Sequence, residues 1–97
     1  MESRIDAEIE IIIDKIQPGV MFDSHHVINA LVKDHSDEYM HFIKTHFGAA
    51  GTTEYVHSEI AKHISKCSLV GRIPGKSLSY NIHGKPSTCA LWKRRGT

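Results

Sequence analysis

Apolar residues recur at helical spacing through the first two-thirds of this chain, then alternate with period two in the last third. Ile5, Ile9, Ile12, Ile13 and Ile16 fall on one stripe, which predicts a helix over 3–16. Ser3 to Asp6 reads as a capping box, and Arg4 and Glu8 sit at pairing distance on the outer side. Ile11 lies off the stripe, either as an isolated surface residue or as a dimer contact, so a homodimer stays open. Pro18-Gly19 stops the helix, and Val20, Met21 and Phe22 follow as a very short extended piece.

Asp23 and Ser24 offer an N-cap for a second helix over 24–34, with Val27, Ile28, Leu31 and Val32 inward. Ser36 can cap a third over 36–47, where Asp37 and Glu38 suit the positive end of the helix dipole. Tyr39, Met40, Ile43 and Phe47 carry its stripe, and Gly48-Ala49-Ala50-Gly51 reads as a loop. Thr52 or Thr53 caps a fourth helix over 53–66, with Val56, Ile60, Ile64 and Cys67 inward and His57, Ser58, Lys62 and Lys66 outward.

Beyond Cys67 the period changes. Leu78, Tyr80 and Ile82 alternate with Ser79 and Asn81, which predicts a strand with Leu78, Tyr80 and Ile82 on the covered face. Residues 83–87 have turn chemistry, and the returning strand points Cys89 and Leu91 inward and Ala90, Trp92 and Arg94 to the other face. Residues 70–76, with Pro74-Gly75, read as a connector. The predicted class is a single α+β domain, four helices followed by a C-terminal β-hairpin over about 78–94.

Length and composition agree with one small domain. The chain has 97 residues, 40% of them apolar and 24% charged. That is close to an average globular protein, and collagen-like, disordered and membrane classes drop out. A domain this size buries about two-thirds of its unfolded surface, which argues against a large walled substrate cavity. No stretch reaches the ~18 apolar residues of a membrane span, and no secretory pattern opens the chain. Cys67 and Cys89 then read as reduced thiols of a cytoplasmic protein.

Charge changes the picture more than composition does. The net charge is only +1, but residues 1–50 hold four basic against nine acidic side chains, a balance of −5. Residues 51–97 hold eight basic against two acidic, a balance of +6, and no acid follows Glu59. A positive surface forms wherever residues 60–97 gather, which points to a polyanionic partner. The alternative is a solvated basic tail that balances the acidic half.

Helix, short strand, two-part helical unit, helix and hairpin form an order that resembles the winged helix-turn-helix superfamily. In that superfamily a recognition helix feeds directly into a hairpin called the wing. The resemblance spans nearly the whole chain and rests on element order and charge. It implies residues 53–66 as the recognition helix and 80–92 as the wing, with Lys85 near its tip. A second registration takes 36–46 as the reading helix, although Asp37 and Glu38 at its start would repel phosphate. The first registration has departures too: the 47–52 link is longer than a tight turn, and Glu54 and Glu59 lie on the helix.

The implied partner is nucleic acid, in the first place double-stranded DNA, bound by a regulator or accessory factor. His57, Ser58 and Lys62 share a helix face that would reach base edges. Lys66, Arg72, Lys76, Lys85, Lys93, Arg94 and Arg95 would hold phosphates, fixing register without reading sequence. A structured RNA stays open as a target. The rival reading is a protein-interaction module whose contact patch is the acidic half, or Ile11 with Trp92.

Other chemistry is thinner. His63 and Cys67 on one helix face, with His83 and Cys89 on the hairpin, have the residue types of a zinc site. They lack paired ligand spacing on each half, and buried thiols are the simpler account, so no cofactor and no metal is expected. No glycine-rich phosphate loop, nucleophile elbow or zincin motif occurs, and no enzymatic activity is expected.

Overall fold

The computed structural model describes residues 4–50 and 53–96, with side chains at 5–44 and 56–96. Those residues form α1 (Arg4–Asp14), β1 (Met21–Asp23), α2 (Ser24–Asp34), α3 (Ser36–Ala50), α4 (Thr53–Ser65), β2 (Val70–Tyr80) and β3 (Pro86–Arg94). The fold is α+β: four helices packed on an antiparallel sheet of order β1-β3-β2.

The isoleucine stripe of α1 forms the floor of the core. Ile5, Ile9, Ile12 and Ile13 are buried against Val27, Ile28 and Leu31 of α2 and Val56, Ile60 and Ile64 of α4. Ile11 is exposed. The capping box at Ser3 and the Arg4–Glu8 pair lie outside the described side chains. Past Asp14 the chain tightens into short turns, closes on Gly19 at φ +89°, and enters β1. Gly19 N donates to Arg94 O and Arg94 N to Val20 O, so the bonds to β3 begin two residues before the strand itself. Asp23 then caps α2, its carboxylate accepting from His26 N at 2.9 Å.

Three local expectations change. Val32 and Met40 are exposed, and the buried aromatics of α3 are Tyr39 and Phe42, three apart on one face. The expected loop at 48–50 is helical. Ala49 and Ala50 are the best helix formers and offset the cost of Gly48, so α3 runs to Ala50. The expected cap Thr52 and the expected loop residue Gly51 lie outside the described residues, as do the side chains of Thr53 and Phe47.

The hairpin differs most. Residues 70–76 are strand rather than connector, because Pro74-Gly75 is accommodated as an irregularity inside β2. Pairing jumps from Ile73↔Leu91 to Lys76↔Ala90, and Gly75 takes φ +96°, which a side-chain-bearing residue resists. The inward face is also reversed. Trp92 (3% exposed) and Arg94 (6%) are buried beside Phe22 and Val70, whereas Leu78 (71%) and Tyr80 (66%) are exposed. Trp92 fills the sheet–helix contact and donates from Nε1 to Ser24 Oγ at 2.9 Å. Such a donor needs a partner when it is buried. The hairpin tip is an asparagine-organised turn: Asn81 Oδ1 accepts from His83 N and Lys85 N, and Gly84 takes φ +73°.

Candidate nucleic-acid interface

α4 and the hairpin stand side by side because only residues 66–69 separate them. Val56, Ile60 and Ile64 hold the inner face of α4 on the core, which turns Ser58, Lys62 and Lys66 to the surface. Lys62 makes an ion pair with Glu59 at 2.8 Å, three residues back, so part of its charge is balanced on the helix itself. Such an exposed pair is worth well under 1 kcal/mol and yields readily to a phosphate.

His57 does not join that face. Its ring is half-buried and its Nε2 shares a hydrogen bond with Tyr39 Oη at 2.7 Å, so the side chain ties α4 to α3. Burial, reinforced by the neighbouring His83 and His25, holds its pKa down to about 4. At neutral pH the ring is uncharged and engaged, which removes it from the expected set of base contacts.

Arg94 is the second correction. It lies inward, where its Nε donates to Ile13 O at 3.2 Å and its Nη2 pairs with Asp14 Oδ1 at 3.3 Å. The carbonyl end of α1 is the negative end of a helix dipole, which suits a guanidinium. This cation closes the end of α1 instead of facing a phosphate.

The other basic residues are exposed: Arg72 and Lys76 on β2, Lys85 at the tip, Lys93 on β3, and Arg95 just beyond it. Arg72 lies over the Trp92 ring at 5.5 Å and also donates to the carbonyl of Ile73. Arg95 runs alongside Gly71 and donates from Nε to Val70 O at 2.6 Å. Arg72, Lys93 and Arg95 therefore gather around one shallow groove on the sheet, together with Pro18 and Gly19. Backbone bonds hold Arg72 and Arg95 in place, and among the described residues no carboxylate lines that groove.

A second depression of about 540 Å³ separates α4 from the distal hairpin, with Ser58 and Ala61 on one wall and Lys76, His83 and Thr88 on the other. The N-terminal turn of α2 floors it. There His25, 8% exposed, bonds Ser79 Oγ through Nδ1 at 2.8 Å and Ser87 Oγ through Nε2 at 3.3 Å. These bonds attach the outer hairpin to the helical layer. The histidine that makes them was not singled out from sequence, where nothing distinguishes it from His26.

The acidic half is tied to the rest by specific contacts. Asp6 accepts from His63 on α4, Glu8 pairs with His35, and Asp14 pairs with Arg94. His63 is thus engaged on α1, and Cys67 and Cys89 are half-buried free thiols whose pKa burial pushes up. Among the described residues no group of three or more His, Cys, Asp or Glu is arranged to hold a metal ion. No helix among them is long and apolar enough to cross a membrane. Comparison with protein-family models, curated proteins and solved structures found no match to this chain.

Proposed function

We propose that this domain binds nucleic acid, double-stranded DNA in the first place, through α4 and the hairpin, as a winged-helix-like regulator or accessory factor. The observation that carries the reading is the exposure of the cations there, three of which (Arg72, Lys93 and Arg95) line one groove. Lys62 lies on α4 and Lys66 just past its end, Arg72, Lys76 and Lys85 on β2 and the tip, and Lys93 and Arg95 at the end of β3, all exposed. Ser58 and Lys62 are the base-edge candidates, and the other cations hold phosphates. α4, with 13 residues, is about 20 Å long, the reach of a helix laid in a major groove. Its direct continuation into the hairpin supports the same reading, since both elements then meet one duplex.

The test is duplex DNA binding titrated with salt, run beside single-stranded DNA and RNA. If about four to six phosphates are engaged, log K falls against log salt with a slope of roughly −4 to −5. Reversing Lys62 and Lys85 together to Glu removes binding while leaving the unfolding midpoint unchanged. A salt-independent affinity, or full retention of binding by that variant, refutes the reading. A protein-interaction module is the second reading, and the exposed Leu78 and Tyr80 on one face of β2 favour it.

A further inference from the structure

We infer that the depression between α4 and the distal hairpin is a binding site for a phosphate monoester carrying an apolar body, of the size of a mononucleotide. Four observations lead there. Its volume of about 540 Å³ falls within the range of small-molecule sites. Among the described residues its lining holds Lys76, His25, His57 and His83 and no carboxylate. The nearest acid of the sheet, Asp23, is turned to the α2 cap, where it accepts from His26 N and from Ser77 Oγ. Hydroxyls of Ser58, Ser87 and Thr88 share the walls with the apolar side chains of Ile28, Ala61 and Ala90.

This donor set fits a phosphate monoester better than a carboxylate. The phosphate carries a charge of about −1.5 to −2 at neutral pH and three strong acceptor oxygens. Lys76 supplies a cation, His83 on the same wall supplies a ring nitrogen, and the hydroxyls supply neutral donors. The apolar side chains give a flat ligand body somewhere to lie. Besides burial, His83 and His25 both push the His57 pKa down. An anion in the depression offsets that effect, so occupancy raises the His57 pKa above its free value of about 4.

The walls of the site belong to the surface proposed above for nucleic acid, but the inference stands on its own lining. Two sources present this chemistry, a free mononucleotide and the phosphorylated end of a strand. Calorimetric titration of the full chain at low salt with adenosine 5′-monophosphate, adenosine and inorganic phosphate tests the first. Comparison of one short oligonucleotide with a 5′-phosphate and with a 5′-hydroxyl tests the second.

The expected result is saturable binding of the monophosphate, with adenosine weaker by about tenfold or more, as the loss of a charge-assisted contact implies. Lys76→Ala and His83→Ala each weaken it about tenfold, Lys93→Ala leaves it unchanged, and the His57 imidazole pKa rises on saturation. Preference for the 5′-phosphorylated oligonucleotide, abolished by Lys76→Ala, supports the site with a strand end as its ligand. Equal binding of adenosine and its monophosphate, together with equal binding of the two oligonucleotides, overturns the inference. Monophosphate binding without duplex binding would sink only the nucleic-acid reading, and duplex binding without either phosphate preference would sink only this one.

Discussion

The two halves of the hairpin use one ladder of backbone hydrogen bonds for different ends. Near the globule, Val70, Trp92 and Arg94 bury their side chains against α1 and α2. Beyond the irregularity at Pro74-Gly75, hydroxyls replace apolar contacts: Ser79 and Ser87 meet His25, Ser77 meets Asp23, and Leu78 and Tyr80 face solvent. The proximal half therefore carries stability, while the distal half is held loosely enough in energy, and openly enough in space, to serve as a surface. A net hydrogen bond contributes about 1 kcal/mol, against several for a buried tryptophan.

The largest effect that can break this contrast is Trp92→Ala. It removes a buried ring and its Nε1 bond to Ser24 Oγ, with an expected loss of about 3–5 kcal/mol in urea unfolding. A loss below 1 kcal/mol would mean that the proximal hairpin is not core.

Adjacent cations sharpen the contrast next. Arg94→Met removes the buried guanidinium's bonds to Ile13 O and Asp14, leaving Ile13 O only its bond from Ile16 N, and costs about 1–3 kcal/mol. Lys93→Ala changes stability by no more than about 0.5 kcal/mol, but lowers duplex affinity and reduces the salt slope by about one. Equal stability losses in the two variants contradict the assignment of Arg94 to structure and Lys93 to surface.

The pH dependence follows from His57. Its folded value of about 4 lies below the ordinary 6.5, so the unfolded chain binds the extra proton between those values. That contribution to stability is whole above pH 6.5 and is lost as pH falls toward 4. His57→Gln, which keeps an acceptor for the Tyr39 hydroxyl, flattens the unfolding midpoint across this window. An unchanged pH profile in that variant would contradict the buried neutral imidazole.

The smallest effect belongs to Tyr80→Ser. Its ring is exposed, so stability moves by about 0.5 kcal/mol or less. A large loss would place the distal half in the core after all.

Helices were legible because each writes its buried stripe in the local sequence: Ile5 to Ile13 and Val56 to Ile64 could be read with no knowledge of what covers them. The hairpin was legible as a strand pair but not in its facing. Period two marks two faces without saying which is covered, and the alternation of Leu78, Tyr80 and Ile82 with serines suggested the wrong one. The choice is made by Trp92 and Arg94, which meet α1 and α2 from nearly the whole length of the chain away. The candidate surface was legible as charge, since most exposed cations follow Glu59, but two of its ten residues turn inward. Neither His57 with Tyr39 nor Arg94 with the end of α1 leaves a signature in local spacing.

The central claim is that α4 and the basic hairpin form one surface for a polyphosphate. The most direct measurement is a backbone amide NMR titration of the full chain with duplex DNA at low salt. The account predicts shifts concentrated at 58–66, 72–88 and 93–95 and reversed by added salt, with the α1 amides still. Shifts confined to the acidic α1 and α3 faces, or none at saturating duplex, would contradict it.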